Sequence, residues 1–292
     1  MSRKIIVHAG TEKTGTTSLQ LFLDDHRDAL LLRGVYYPET GHDYRQSGRF
    51  PKHSWLLEGL MADDGAPLRL GFERLLSQSP PEAHTIILSD EALFGDWQHT
   101  SAAGRAALGA LSATLEIELW VWFRDPVAYA RSLYVQILKN PGAPILDDGA
   151  DFTLEAALEF PTFTGRLDYI GYVRGLESVL GAGKVRPFAY RGDTTAAFLH
   201  ALGVDDMEAE APRENRTLGE AGVRLLQVLN RYDPDADQKL AAAPLISRLD
   251  DLLAARSPPL AVARDTQERI RALAAPSIAA LARDYGLSFE AE

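Results

Sequence analysis

The stretch KIIVHAGTEKTGTTSLQ, residues 4–20, decides how this chain folds. Its apolar start predicts a short buried strand, and the residues from 19 onward have the spacing of an amphipathic helix. The loop between them holds two glycines, a lysine and several hydroxyl residues. Because a helix that begins directly after a strand presents free N–H groups and the positive end of its dipole, we expect this loop to bind an anion such as a phosphate.

The position of the lysine argues against a nucleoside triphosphate loop. That loop reads G-x-x-x-x-G-K-[ST], with the lysine directly after the second glycine. Here Gly10 and Gly15 have the required spacing, but Thr16 follows Gly15 and the lysine is Lys13. A P-loop kinase or nucleotide hydrolase stays open as an alternative, although it lacks its main supporting residue.

A second anion site is predicted within IELWVWFRDPVAYARSLY, residues 117–134. An almost unbroken apolar run, typical of a strand buried on both faces of a parallel sheet, ends at Arg124. Asp125 and Pro126 are residue types that begin a helix, which places Ser132 about two turns along it. Arg124 and Ser132 would then bind one phosphate, through a bidentate cation and a hydroxyl donor.

Both segments resemble the sulfotransferases that use 3′-phosphoadenosine-5′-phosphosulfate (PAPS). KTGTT, residues 13–17, resembles the loop of that family that binds the 5′-phosphosulfate. The arginine at 124 and the serine eight positions later resemble its 3′-phosphate site. Three short sequences are most similar to those of small bacterial sulfotransferase-like proteins: HAGTEKTGTTSLQ, GVYYP and LSDE. The resemblance extends from about residue 4 to residue 204.

The resemblance implies a role for each residue of these motifs. The lysine contacts the bridging region of the phosphosulfate, and the threonine hydroxyls and loop amides hold the 5′-phosphate; the residues concerned are Lys13, Thr14, Gly15, Thr16 and Thr17. Tyr190 takes the place of an aromatic residue near the adenine. The Arg-Lys-Gly element of the animal cytosolic enzymes is absent, and the nearest basic residues that could replace it at the 3′-phosphate are Arg213 and Arg216.

The implied activity is transfer of a sulfuryl group from PAPS to a hydroxyl or amine of a small molecule or carbohydrate, with adenosine 3′,5′-bisphosphate (PAP) as product. Lys13 would neutralise charge on the leaving phosphate oxygen. No metal is required, and the seven histidines lack metal-ligand spacing. Two candidates for the general base stay open, His53 at the start of a helical pattern and Glu91 directly after a strand. A non-catalytic nucleotide-binding protein of the same fold is a further alternative.

Two polar residues near these candidates have structural interpretations. His8 lies inside the first predicted strand, and we expect a core histidine with a hydrogen-bond partner. Asp90 has the position of a helix cap.

The acceptor pocket is expected in the loops at 38–55, 94–100 and 140–165. Within the last of these, residues 140–152 have the composition of a surface connection, either an idle one or a lid. The aromatic and basic residues of the loops are Tyr44, Arg45, Arg49, Phe50, Trp55, Trp97, Phe160 and Phe163.

The pattern along the chain predicts a single α/β domain over residues 1–292. Strands near 4–9, 85–89, 117–123 and 184–190 alternate with helical patterns, which indicates a P-loop-like three-layer sandwich with a central, mainly parallel sheet. Lys13, Glu91, Arg124 and Tyr190 then follow strand ends at one edge of that sheet. From about residue 205 the chain is predicted to be mainly helical, with three helical patterns and a kink at Pro276.

Composition narrows the partners. A chain with 46% hydrophobic and 24% charged residues is globular, and a net charge of −11 disfavours nucleic acid. The absence of cysteine excludes disulfides and thiolate metal sites. We expect no transmembrane segment, no signal peptide and a cytoplasmic location, because no apolar run is long enough to span a bilayer and the first strand begins at once. The helical C-terminal part would pack on the sheet or pair with a second subunit.

Overall fold

The computed structural model describes residues 3–11, 14–39, 51–139, 152–207, 218–232, 236–253, 258 and 260–289. Its strands are β1 (Lys4–Gly10), β2 (Val35–Tyr36), β3 (Thr85–Ser89), β4 (Glu116–Phe123) and β5 (Val185–Ala189). They form one sheet in the order β2-β3-β1-β4-β5, and every pairing is parallel. The predicted α/β class with a parallel sheet flanked by helices is therefore confirmed.

The four predicted strands match the observed ones to within one residue at each end. Their apolar runs are visible in the sequence because both faces of the sheet are covered, so almost every residue of β1, β3 and β4 is buried. The pattern missed β2, whose two residues are too few to show any periodicity.

Helices connect the strands and follow the last of them. They are α1 (Thr16–Asp25), α2 (Arg27–Leu31), α3 (Trp55–Met61), α4 (Ala66–Gln78), α5 (Ala92–Asp96), α6 (Ala102–Ser112), α7 (Pro126–Lys139), α8 (Leu154–Ala157), α9 (Pro161–Thr164), α10 (Tyr169–Leu180), α11 (Thr194–Leu202), α12 (Glu220–Asn230), α13 (Ala236–Leu253) and α14 (Arg264–Tyr285). Short 3-10 helices cover Trp97–His99 and Gly165–Leu167.

The chain forms two compact units. The first contains residues 1–124 and 170–213, and with them the whole sheet; the second contains residues 125–169 and 214–292. The three helices predicted for the C-terminal part are α12, α13 and α14, all in the second unit. Pro276 lies inside α14, and its kink stays a prediction, as does a single domain over the whole chain.

Aromatic side chains fill one face of the sheet in the first unit. Trp120 and Trp122 project from β4 and pack with Phe198 of α11 and with leucines of α1. The rings of Trp122 and Phe188 are stacked, with their centroids 4.3 Å apart. These contacts fix α1 and α11 against the sheet. The helix α1 begins directly after the loop that follows β1, which the sequence predicts to bind an anion and which is named the anion loop.

The predicted helix boundaries follow from capping. Oδ1 of Asp125 accepts the amides of Val127 and Ala128, both at 3.0 Å, as α7 begins. Asp193 caps α11 in the same way, because its Oδ1 accepts the amide of Ala196 at 3.0 Å. The helix ends at Gly203, whose φ of 80° is the left-handed conformation that favours glycine.

In the second unit, a buried carboxylate joins α13 to the start of α12. Asp250 accepts the amides of Gly219 (2.8 Å) and Gly222 (2.9 Å). Negative charge at a helix N-terminus is favourable, and these two bonds occupy amides that the helix itself leaves free. A Cβ at position 222 would lie 2.9 Å from the Asp250 carboxylate, so the close approach requires glycine.

Candidate functional site

The strand order places the anion loop at the reversal point of the sheet. From β1 the chain forms β2 and β3 on one side and then crosses to β4 and β5 on the other, so the order reverses between β1 and β4. In open α/β sheets this is where ligands bind, outside the carboxyl ends of the strands. Gly10 ends β1 opposite Trp122, and the amide of Thr11 donates to the Trp122 carbonyl oxygen at 2.9 Å. The loop after β1 therefore begins beside the end of β4, because Gly10 pairs with Trp122 and Arg124 follows Trp122 by two residues.

Close approach fixes the described residues of the loop. A Cβ on Gly10 would lie 2.9 Å from the carbonyl oxygen of Trp122, so a larger residue cannot occupy this position without displacing β4. The hydroxyl of Thr14 donates to the carbonyl oxygen of Thr11 at 2.8 Å, and Thr194 of α11 donates to the carbonyl oxygen of Thr14. Lys13 lies outside the described residues.

The first turn of α1 presents hydrogen-bond donors that have no acceptor among the described residues. Gly15 precedes the helix with a φ of 75°, and no acidic residue stands in the first turn. The amide of Leu19 donates to the carbonyl oxygen of Gly15, which leaves the earlier amides outside the helical pattern. Thr16 is only 6% exposed, and its hydroxyl has no hydrogen-bond partner among the described residues. Amides and a buried hydroxyl that have no partner among the described residues, together with a helix dipole, fit a phosphate group.

Arg124 follows β4 and is held by an aromatic ring. Its guanidinium carbon lies 5.5 Å from the centre of the Tyr190 ring, a cation–π distance. Tyr190 is fixed in turn, because its amide donates to the carbonyl oxygen of Phe123 (2.7 Å) and its hydroxyl to that of Gly192 (2.9 Å). The sequence suggested only a contact between Tyr190 and adenine; the structure adds this role in placing Arg124, and the adenine contact stays a prediction.

The remaining predicted donor contacts are less fully placed. Ser132 is buried in α7, in the second unit. Arg213 and Arg216 lie outside the described residues. Their roles at the 3′-phosphate stay predictions.

Glu91 stands just past β3 and is anchored by a glutamine of α1. The carboxamide nitrogen of Gln20 donates to Oε2 of Glu91 at 2.9 Å and to Oγ of Ser89 at 3.1 Å. Ser89 Oγ is also 2.9 Å from Nδ1 of His8. The predicted base candidate is thus half-buried at the carboxyl edge of the sheet and connected to the helix that follows the anion loop.

Asp90 is a residue whose importance the sequence did not reveal. The N-cap position of α5 is Glu91 rather than the predicted Asp90. Oδ1 of Asp90 nevertheless accepts the amide of Ala92, the first residue of the helix, at 3.1 Å, and Oδ2 is buried with no partner among the described residues. Burial, followed by the charge of Glu91, raises the pKa of Asp90 to about 7, against the opposing effects of Lys52 and the Ala92 amide. The available sequence signal was the pair of adjacent carboxyls at a strand end.

His53 is buried with both ring nitrogens engaged. Nδ1 accepts the amide of Ser89 at 3.1 Å, so Nε2 carries the proton and donates to the carbonyl oxygen of Pro38 at 3.2 Å. The ring also meets that of Tyr37 edge to face, at 4.9 Å between centroids. A neutral imidazole in this arrangement has no lone pair left to take a proton from a substrate.

His8 is the expected core histidine with a hydrogen-bond partner. Its ring is fully buried, with Nδ1 near Ser89 Oγ and Trp122 at 5.2 Å between centroids. Desolvation lowers the pKa of His8 to about 3, so the ring is neutral at physiological pH.

The predicted acceptor residues divide into three groups. Tyr44, Arg45, Arg49 and Phe50 lie outside the described residues, as does nearly all of the 140–152 loop. Trp55, Phe160 and Phe163 belong to α3 or to the region of α9. Trp97 is buried in the first unit, in an aromatic cluster with Phe94 and Tyr172, which meet at 4.8 Å. The hydroxyl of Tyr172 is buried without a partner among the described residues.

The described part of the chain shows neither a metal-binding cluster nor a membrane-spanning helix. Those residues contain no group of three or more His, Cys, Asp or Glu side chains arranged to hold a metal ion. Each helix in the same residues is too short or too polar to cross a lipid bilayer.

Comparisons with known proteins gave structural neighbours only. The chain is similar to a sulfotransferase from Alicyclobacillus acidocaldarius, with 14% identity and a TM-score of 0.46 over 99% of this chain and 98% of that one. It is also similar to retinol dehydratase in a complex with retinol and PAP, with 11% identity and a TM-score of 0.32 over 99% of this chain and 84% of that one. No protein-family model and no curated protein gave a significant match.

Proposed function

We propose that this protein is a sulfotransferase that uses PAPS as donor and a hydroxyl or amine group of a small molecule or carbohydrate as acceptor. The observation that carries the proposal is the first turn of α1, where the buried hydroxyl of Thr16 and the free amides have no described partner. Arg124 follows the neighbouring strand, at the reversal point of the sheet. The donor supplies an activated sulfuryl group.

Each residue of the anion loop has a task in this proposal. Gly15 and the amides of the first turn surround the 5′-phosphate, and the hydroxyls of Thr16 and Thr17 donate to it. Thr14 keeps the loop closed through its bond to Thr11. Lys13 would balance charge on the leaving phosphate oxygen, and the helix dipole adds to that effect.

The opposite end of the donor is assigned to Arg124. A guanidinium can bind a phosphate through two parallel hydrogen bonds, and Tyr190 restricts the orientations that Arg124 adopts. The assignments of Ser132 and of Arg216 or Arg213 to the 3′-phosphate come from the resemblance in the sequence. Tyr190 keeps its proposed place beside the adenine.

Glu91 is the proposed general base. It is half-buried at the carboxyl edge of the sheet, and one of its oxygens already has a fixed partner in Gln20. His53, the other candidate, uses both ring nitrogens within the protein. The geometry therefore favours Glu91 as the group that takes the proton from the acceptor.

Asp90 adjusts the charge near this base. Below pH 7 the raised pKa favours the neutral form of the Asp90 carboxyl, so Asp90 adds little negative charge beside Glu91. A single negative charge disturbs an anionic donor less than two would. This matters in a chain whose net charge of −11 does not attract such a donor.

Calorimetric titration of the wild-type protein tests the donor class. We expect PAP to bind without Mg²⁺ and more tightly than ATP, because two phosphate sites have been assigned and no lysine follows Gly15. Tighter binding of ATP that depends on Mg²⁺ would support a P-loop kinase or hydrolase instead. A variant with both Thr16→Val and Arg124→Ala should lose PAP binding and serves as the negative control.

Labelled PAPS tests turnover. We expect label to move to one class among phenols, aliphatic alcohols, amines and carbohydrates offered in parallel. Binding of PAP with no transfer and no slow hydrolysis of the donor would identify a non-catalytic nucleotide-binding protein. Cytoplasmic location, bacterial origin and a homodimer remain predictions from the sequence.

A further inference from the structure

A buried glutamine connects the proposed base to the donor helix. Gln20 is 1% exposed, and its carboxamide nitrogen has two acceptors, Glu91 Oε2 at 2.9 Å and Ser89 Oγ at 3.1 Å. A carboxamide nitrogen carries two hydrogens, so both are used. The opposite orientation would set the carbonyl oxygen of Gln20 against a carboxylate, which leaves only this orientation favourable.

The glutamine is itself anchored on two strands. Ser89, at the end of β3, contacts His8 of β1 through its hydroxyl, at 2.9 Å from Nδ1. The amide of Asp90 donates to the carbonyl oxygen of His8 at 3.1 Å, which holds the start of the Asp90–Glu91 segment beside β1. The carboxamide thus has little freedom, and the direction of its N–H towards Glu91 is fixed by the sheet.

Gln20 and the proposed phosphate site lie on the same helix. Thr16 begins α1 and Gln20 follows four residues later, a rise of about 6 Å along the axis. A helix of ten residues packed on the sheet moves as one body. The helix α1 therefore sets both the position of the bound phosphate and the position of the Glu91 carboxylate.

We propose that Gln20 is a positioning residue, which holds the Glu91 carboxylate from the helix that binds the donor. The proposal rests on the proposed function. Its consequence is that the loss of Gln20 separates two steps: the first turn of α1 still binds the donor, but the base is no longer held in the orientation that accepts a proton.

Gln20→Met is the main variant, because methionine has similar length and no hydrogen-bonding amide. We expect kcat to fall at least tenfold, while the dissociation constant for PAP stays within twofold of the wild-type value. Gln20→Glu keeps the shape but places a second carboxylate beside Glu91, and we expect a larger fall in kcat. An unchanged kcat in both variants would overturn the proposal.

Gln227→Met is the matched control. Gln227 of α12 also bridges two acceptors, the hydroxyl of Tyr134 (2.9 Å) and the carbonyl oxygen of Phe152 (3.3 Å), within the second unit. The same substitution therefore removes the same kind of bonds elsewhere. We expect its kcat to match the wild-type value. A fall equal to that of Gln20→Met would show a general loss of stability and contradict a positioning role.

A double-mutant cycle with Glu91→Gln shows whether Gln20 acts through Glu91. In the Glu91→Gln background we expect Gln20→Met to cause no further loss of kcat; a loss as large as in the wild type would overturn the proposal. If wild-type protein binds no PAP and transfers no sulfate, the proposed function fails by itself. In that case the same double-mutant cycle, measured as free energies of unfolding, tests whether Gln20 and Glu91 interact. Additive effects of the two substitutions would show that they do not.

Discussion

The guanidinium group of Arg124 lies against the ring of Tyr190, with 5.5 Å between the guanidinium carbon and the ring centre. Arg124 follows β4 and Tyr190 follows β5, so two neighbouring strands bring the residues together through the parallel pairing of their last residues, Phe123 and Ala189. The contact places this cation at the edge of the sheet where the donor is proposed to bind.

Substitution of Tyr190 should affect donor binding through Arg124. We expect Tyr190→Leu to weaken PAP binding by roughly 2- to 5-fold, taking about 0.5–1 kcal/mol, the lower part of the usual range, for this half-buried cation–π contact. Tyr190→Phe keeps the ring face and should bind PAP almost as the wild type does. Calorimetric titration of both variants is the measurement, and equal losses in the two would contradict a role of the ring.

Removal of the arginine itself should cost more. Arg124→Ala is expected to weaken PAP binding by about 1.5–3 kcal/mol, the range for a hydrogen bond to a charged group, which is roughly 10- to 150-fold. Arg124→Lys should recover only part of this, because an ammonium cannot form two parallel bonds. A lysine variant that binds PAP as tightly as the wild-type protein would show that a positive charge alone is needed at this position.

Thr16→Val should separate stability from binding. The hydroxyl of Thr16 is buried without a described partner, so its replacement by a methyl group of the same shape should leave the free energy of unfolding unchanged or raise it by about 1 kcal/mol. PAP binding should weaken at the same time by about 1 kcal/mol. Thermal unfolding and titration measure the two effects. Loss of stability with intact binding would mean that the hydroxyl serves the fold.

The two base candidates should respond differently to substitution. We expect Glu91→Gln to lower kcat by about 10²- to 10⁴-fold with little change in PAP affinity, the usual effect of losing a general base. His53→Gln should instead lower the free energy of unfolding by about 1–3 kcal/mol, because the buried amide of Ser89 loses its acceptor. A stable His53→Gln protein without activity would reverse the assignment.

Asp90 should make stability depend on pH. Its pKa is about 7 in the folded protein and near 3.9 in an unfolded chain, so between these values the native state holds a proton that the unfolded state has lost. Stability should therefore fall as pH rises from about 4 to 7, by up to about 1.4 kcal/mol per pH unit, and level off above pH 7.

Asp90→Asn should remove most of that slope, since asparagine keeps the acceptor for the Ala92 amide and does not ionise. Denaturant unfolding at a series of pH values is the measurement. Glu73→Gln, at an exposed carboxylate on α4, is the control. A slope that persists in Asp90→Asn, or disappears equally in both variants, would show that another group is responsible.

Local sequence was sufficient for most of the fold. The apolar runs of β1, β3 and β4 were visible because their residues are buried on both faces, and the start of α7 was visible because Asp125 is a strong N-cap. The short strand β2 was missed, since Val35 and Tyr36 are held in place by pairing with β3 rather than by any pattern of their own.

For the site, the sequence determined the residue types and their order: the glycines of the loop, the hydroxyls of the first turn of α1, and single polar residues just past strand ends. Such motifs can be recognised from the sequence because they form between residues only a few positions apart. Tertiary structure alone decided that Tyr190 faces Arg124, that Gln20 reaches Glu91, that His53 has both nitrogens engaged and that Asp90 is buried enough for its pKa to rise. Each of these facts joins residues many positions apart, and both hydrogen bonding and desolvation depend on distances that only the packed chain sets.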